Sequence, residues 1–356
     1  FVASPERQQV YCLDAGTGEM EWRFVTDSPI NSPPTYHKGR LVFGTGSGYL
    51  YQITADEGEL VWQTQCAPAD RRLLSYERLE SPWPLNGSSL VLNGNVYCVA
   101  GRSMHLDSGL FVSKVDFETG EILQQTNLRA DTEPKGEVDG TLLPDILVSN
   151  GEHIFMKSMQ FDPSDISKHE LKGRIGRHGG TKKPKNILRC QTEMTDGSWL
   201  NCCFWAYRNC QAQQLVFDDQ VAFGVSGPNK VGWGGSFGHD VHYPGKGYNL
   251  RKWEFTSETS SKGRWQKSVP VRAKAMAVTE DCLYLAGTPD EEGTDDFWAA
   301  FEGKKGARLT VLSKTNGKKQ AEFNLESPPA YNGLAAANGA LFVTLQDGSI
   351  VCFAAE

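Results

Sequence analysis

Three stretches of thirteen residues align without a gap: FVASPERQQVYCL from Phe1, LVFGTGSGYLYQI from Leu41 and LFVTLQDGSIVCF from Leu341. Each is an apolar run, a polar or glycine-containing turn, and a second run of alternating apolar residues, which reads as a β-hairpin. The next segment recurs as well. DAGTGEMEW sets Asp14, Gly18 and Trp22 four residues apart, and TADEGELVW sets Thr54, Gly58 and Trp62 at the same spacing. VDFETGEIL (Asp116, Gly120) and LSKTNGKKQ (Ser313, Gly317) repeat the turn without the tryptophan. The glycine closes a tight turn into a last strand, whose tryptophan is placed to pack on a neighbouring sheet. Trp22 and Trp62 lie 40 residues apart, close to the length of one four-stranded unit.

A third piece, two apolar strands around a two-residue turn, recurs at Lys38-Gly39, Asn93-Gly94, Asn150-Gly151, Asp218-Asp219, Glu280-Asp281 and Asn338-Gly339. Three of these are Asn-Gly, the strongest short-range hairpin signal, because both residues accept positive φ. The six hairpins supply the first two strands of six units, and the opening fragment makes a seventh. The first unit lacks its innermost strand, and the last, from Tyr331 to Ala355, lacks its outermost. The expected fold is all-β: a β-propeller of four-stranded antiparallel blades, about seven visible and eight in the intact ring. Residues 1–356 are expected to form one domain that is incomplete at its N-terminal side, with an upstream segment closing the ring.

Composition excludes some function classes. Glycine, at 37 of 356 residues, suits many short strands and tight turns. A net charge of −7 argues against general nucleic-acid binding, which needs a basic surface. No run of 18 apolar residues exists, so no transmembrane helix is expected. Nine cysteines, an odd count, are too sparse for a small disulfide scaffold. Of these, Cys12, Cys98, Cys282 and Cys352 fall on strand positions as small buried hydrophobes.

The D-x-x-x-G-x-x-x-W turn with this hairpin order resembles the blades of the pyrroloquinoline quinone (PQQ) repeat family. The likeness is clearest at residues 1–65 and 300–356. Members of that family include quinoprotein alcohol dehydrogenases, which bind PQQ and Ca²⁺ in an axial funnel, and non-catalytic propellers such as a lipoprotein that helps assemble outer-membrane β-barrels. The dehydrogenases carry a disulfide between adjacent cysteines against the cofactor ring. That resemblance draws attention to Cys202 and Cys203, with Trp205 as a stacking face, although ordinary pairings with Cys190 or Cys210 compete.

Fold leaves activity open, since function lives in particular sites. His239 and His242, with Asp240 between them, have two imidazoles at a spacing that can share a metal. No further ligand joins them, and a glycine-rich loop with exposed histidines is the expectation, with no metal site. Residues 163–190 read as a basic loop insertion with eight lysines and arginines, a surface that suits an acidic partner or an upstream region of the same protein. The loops before the innermost strands converge on the axial channel. There the chain offers Asn31, Glu80, Trp83, Asp145, Arg272, Lys274, Tyr331 and Asn332, the mixed polar and aromatic lining of a small-ligand pocket. The competing role is simply to fill and hydrogen-bond the channel.

No nucleophile–base pair, paired carboxylates or complete metal set emerges. The expected function is a non-catalytic binding or assembly platform with a protein partner, no predicted cofactor, and an extracytoplasmic (periplasmic or secreted) location. The alternatives are an oxidoreductase using PQQ and Ca²⁺ with Cys202 and Cys203 against the quinone, and a carbohydrate-binding or carbohydrate-active propeller suggested by nine tryptophans.

Overall fold

The computed structural model describes residues 1–75, 77–131, 146–156, 159–171, 187–190, 205–227, 247–290, 299–300 and 302–354. The chain falls into two compact units, residues 1–199 and 200–356. In the first, sheet A has three strands, Val2–Ser4 (β1), Gln9–Leu13 (β2) and Met20–Val25 (β3). Sheet B has four, Thr35–His37 (β4), Arg40–Gly44 (β5), Tyr49–Thr54 (β6) and Leu60–Gln65 (β7). A separate hairpin, Leu73–Ser75 (β8) and Arg78–Glu80 (β9), precedes sheet C: Leu90–Leu92 (β10), Asn95–Ala100 (β11), Leu110–Asp116 (β12) and Ile122–Leu128 (β13). Sheet D is Leu147–Ser149 (β14), Ile154–Met156 (β15), Met159–Phe161 (β16) and His169–Leu171 (β17), followed by the short strand Arg189–Cys190 (β18).

The second unit opens with a hairpin, Trp205–Tyr207 (β19) and Cys210–Ala212 (β20). Sheet E follows: Gln214–Phe217 (β21), Val221–Ser226 (β22), Asn249–Ser257 (β23) and Ser260–Ser268 (β24). Sheet F is Val271–Val278 (β25), Cys282–Pro289 (β26), Ala307–Ser313 (β27) and Lys319–Leu325 (β28). The three-stranded sheet G is Pro329–Ala337 (β29), Ala340–Leu345 (β30) and Ile350–Ala354 (β31). Every pairing between consecutive strands within these sheets is antiparallel.

All six predicted hairpin turns join the first two strands of a sheet. At Lys38-Gly39, Asn93-Gly94 and Asn338-Gly339 both residues have positive φ, from 47° to 76°, the left-handed pair that matches strand twist. The later turn is equally regular. The Gly18, Gly58, Gly120 and Gly317 amides donate to the carbonyls of Asp14, Thr54, Asp116 and Ser313. The side chains of Asp14 and Asp116 also accept nearby amides, which holds both carboxyls below their usual pKa. The hairpin β19–β20 escapes the sequence pattern because its turn is Arg208-Asn209, with Arg208 at φ 54°.

Middle strands read as unbroken apolar runs because both faces are covered. In β11, Val96, Cys98 and Ala100 enter the core shared with sheet B, while Tyr97 and Val99 enter the core shared with sheet D. Sheet B does the same: Val42 and Leu50 face sheet C, and Leu41, Phe43, Tyr51 and Ile53 face sheet A. Outer strands are mostly exposed, as in β3, β24 and β28. A period of two therefore sorts side chains between two neighbouring sheets rather than between core and water.

Two expectations need correction. Of the four cysteines expected as buried strand residues, only Cys98 is fully buried; Cys12 and Cys282 are half-buried and Cys352 is exposed. Buried Cys98 sits with its sulfur 3.6 Å from that of Cys66, and this hydrogen-bonded neighbour together with burial pushes its thiol pKa well up. The basic stretch 163–190 is also not one loop. Residues 163–171 complete sheet D, because Asp162 and Asp165 accept from Ser164 and Ser167 and fix the turn into β17. Residues 172–186 lie outside the described ones.

Candidate functional site

The innermost strands β21, β25 and β29 of three successive sheets pack side by side in the second unit. Two of them are bulged. In β25 the pairing with β26 slips between Ala273 and Ala275, which leaves Lys274 out of the ladder. In β29 it slips between Pro329 and Leu334, around Tyr331 and Asn332. Asn332 takes φ 55°, which its short polar side chain tolerates. Bulges re-aim side chains and are frequent beside sites. Here they fall on three of the sequence-predicted residues.

Arg272 is buried and pairs with buried Asp290, Nε to Oδ1 at 3.3 Å. The other carboxylate oxygen accepts the amides of Gly247 at 2.9 Å and Tyr248 at 3.4 Å. The guanidinium lies 5.9 Å from the centre of the Tyr248 ring. Close approach fixes this corner: a Cβ on Gly287 would sit 1.9 Å from the Arg272 carbonyl. Lys274 is partly buried, and desolvation lowers its pKa. Its carbonyl accepts from Gln214 Nε2 at 2.9 Å, which ties β25 to β21.

Tyr331 keeps 41% of its surface exposed, and its hydroxyl accepts from Trp205 Nε1 at 2.9 Å. Trp205 itself is buried. The structure thus joins two residues that the sequence offered for separate reasons. Arg272, Lys274, Tyr331 and Asn332 all sit on innermost strands. Asp290, Tyr248 and Gln214 were missed; Asp290 carried a weak signal, as a carboxylate directly after the apolar run of β26.

In the first unit, Asn31 Nδ2 donates to Asn86 Oδ1 at 2.8 Å, Ser32 to the Gly87 carbonyl and Thr35 to that of Ser89. These bonds lace together the loops before the innermost strands of sheets B and C. Glu80 lies elsewhere, on the β8–β9 hairpin. Trp83 is buried in the core between sheets B and C, edge-on to Phe111, with Nε1 donating to the Asp107 carbonyl. Asp145, Cys202, Cys203, His239, Asp240 and His242 lie outside the described residues.

The β8–β9 hairpin has no third strand among the described residues. It presents Leu74 and Leu79, directly paired across the two strands and 74% and 62% exposed. Arg72 anchors it to Asp27 at 2.8 Å, and Arg78 to Glu6. Nothing in its own packing accounts for two exposed leucines.

Comparison with known proteins places these sheets. The family described as outer membrane protein assembly factor BamB matches residues 1–156. A dehydrogenase subunit of alcohol dehydrogenase (quinone) from Gluconobacter oxydans is 27% identical over 158 residues, 41% of this chain and 20% of that protein. The corresponding subunit from Komagataeibacter europaeus is 26% identical over 148 residues, 38% and 19% of the two chains. This chain thus spans about a fifth of the length of those relatives. Among solved structures, BamB from Moraxella catarrhalis aligns with a TM-score of 0.53 at 10% identity, covering 94% of this chain and 88% of that one. The computationally designed Ika8 protein aligns with a TM-score of 0.53 at 11% identity, covering 98% and 91%. These last two are likenesses of fold. Four-stranded antiparallel blades, their repeated turns and these likenesses lead to one conclusion: the chain folds as blades of a β-propeller, and its residues 1–156 are similar to the BamB family.

Proposed function

We propose that this chain is a non-catalytic binding and assembly platform outside the cytoplasm, and that the β8–β9 hairpin is a contact for a protein partner. The observation that carries the reading is the Leu74–Leu79 pair, exposed on a hairpin that two arginines pin to the β1–β2 turn and to the loop after β3. A two-stranded hairpin is marginal alone in water, and exposed apolar side chains gain by being covered. The match of residues 1–156 to an outer membrane protein assembly factor supports the same reading and its extracytoplasmic setting. Among the described residues no helix is long and apolar enough to cross a membrane. Lys274, Tyr331 and Asn332 form a second, polar contact set on the innermost strands, with Arg272 as its buried anchor. In the first unit, Asn31 marks the corresponding loop.

A quinone-dependent oxidoreductase is the second reading, favoured by the alcohol dehydrogenase relatives. At the described inner site the fit to a metal is poor: both carboxylate oxygens of Asp290 already serve Arg272 and backbone amides. One experiment separates the readings. A photo-crosslinking benzoylphenylalanine at position 74 is expected to join one protein covalently in cells, with a yield that Leu79→Asp lowers. The absence of any adduct, together with quinone absorbance and alcohol-dependent dye reduction after adding PQQ and Ca²⁺, overturns the platform reading.

A further inference from the structure

Cys66 directly follows β7, the outermost strand of sheet B, and Cys98 lies within β11 of sheet C, where it pairs with Ser113 of β12. Their sulfurs meet at 3.6 Å inside the apolar core that joins the two sheets, in one cluster with Val42, Leu50, Trp62 and Val96. Cys66 is 0% exposed and Cys98 2%. The Cys66 backbone is fixed independently of its sulfur: the amide donates to the Gly48 carbonyl at 3.0 Å, and the carbonyl accepts from Gln125 Nε2 at 2.9 Å. Two thiols therefore face each other from separate sheets.

As reduced thiols they gain little from the contact, since S–H is a weak donor and sulfur a weak acceptor. Two sulfurs do not complete a metal site either, and among the described residues no group of three or more His, Cys, Asp or Glu side chains is placed to hold a metal. A covalent bond is within reach. From 3.6 Å the sulfurs need to approach by roughly 1.5 Å to reach a bond of about 2.05 Å, a matter of small side-chain rotations.

We propose that Cys66 and Cys98 form a disulfide that staples sheet B to sheet C, with a small-molecule or protein disulfide as the oxidant. The chemistry is thiol–disulfide exchange. One cysteine thiolate attacks a sulfur of the oxidant RSSR, forming a mixed disulfide and expelling RS⁻. The other thiolate attacks the protein sulfur of that intermediate, forming the Cys66–Cys98 bond and expelling the second RS⁻. The two thiol protons end on two RSH, so the protein loses two hydrogens while one RSSR is reduced. The hydrogen bond to Cys66 and burial raise the Cys98 thiol pKa, which makes its thiolate scarce in the closed fold. The bond therefore forms while the two sheets are assembling, and the same burial then shields it from reductants. The loop it closes spans 32 positions and carries the β8–β9 hairpin and Trp83, and closure of such a loop restrains the unfolded chain. Such bonds persist in oxidising compartments, in keeping with the extracytoplasmic setting proposed above, and this one requires no partner.

The test refolds the full chain from urea in a mixture of oxidised and reduced glutathione, blocks free thiols with N-ethylmaleimide under denaturing conditions, and maps the peptides by mass spectrometry. Most of the folded protein is expected to yield a peptide pair linked through Cys66 and Cys98 that dithiothreitol separates. Reduction is expected to lower the melting temperature by on the order of 5 °C, and the double change Cys66→Ala with Cys98→Ala to abolish that response. Should the double variant fail to fold, the peptide map of the unaltered chain decides alone. Maleimide on both residues of the refolded, oxidised protein, or a link from either to a different cysteine, overturns the proposal. So does a melting temperature that reduction leaves unchanged, or lowers equally in the double variant. Leu74→Asp is expected to leave the cross-link intact, so failure of the hairpin contact and failure of the staple are read separately.

Discussion

Breaking the Arg272–Asp290 pair strands a charge where water has little access. Asp290→Ala removes the guanidinium's partner and the acceptor for two amides, so a loss of about 3–5 kcal/mol is expected in urea unfolding. Changing both residues to apolar ones of similar volume is expected to cost less than the two single changes combined, which a double-mutant cycle measures. Lys274 gives a prediction of opposite sign. Burial lowers its folded pKa, so the unfolded chain binds more protons between that value and the ordinary one near 10.4. Stability from this group therefore rises with pH through the window. Lys274→Met is expected to raise the melting temperature at neutral pH and to remove that rise. Arg272 and Lys274 were legible as inner-strand residues because they open an apolar run after a loop. Asp290 was not, because pairing across β25 and β26 brings together residues 18 positions apart, which no local pattern records.

At the scale of the element, the repeated turn and its tryptophan form one device. Trp62 is buried, hydrogen-bonded to the Phe117 carbonyl and held against Gly120. Trp62→Ala is expected to cost about 3–5 kcal/mol in denaturant unfolding. Gly120→Ala attacks the same contact from the other side: its φ of 74° disfavours a side chain, and the new methyl would meet the indole at 2.7 Å. The turns Asn93-Gly94 and Asn338-Gly339 were readable because positive φ restricts residue choice. The hairpin β19–β20 was not, since Arg208 reaches the same φ without the usual residues. The amide of Gln124 likewise takes an indole's place through bonds to a turn 41 and 42 residues away, beyond any sequence signal.

Across the whole molecule, carboxylates hold turns together. Asp14, Asp116, Asp162, Asp165, Asp218 and Asp347, spread over both units, have folded pKa values below the ordinary carboxylate value because hydrogen bonds favour the ionised form. A depressed folded pKa means stability that is complete above the unfolded value and is lost as pH falls through the folded one. The melting temperature is therefore expected to hold steady down to about pH 5 and to fall steeply below about pH 4. Loss confined to one unit by hydrogen exchange would contradict a distributed cause. The sequence by itself determined the repeat, the hairpins and hence the fold, because strand period and turn chemistry are local and each sheet restates them. Only the tertiary structure decided which strands bulge and which side chains meet across sheets. Those follow from packing between sheets, where each partner is distant in the chain and the space left depends on both.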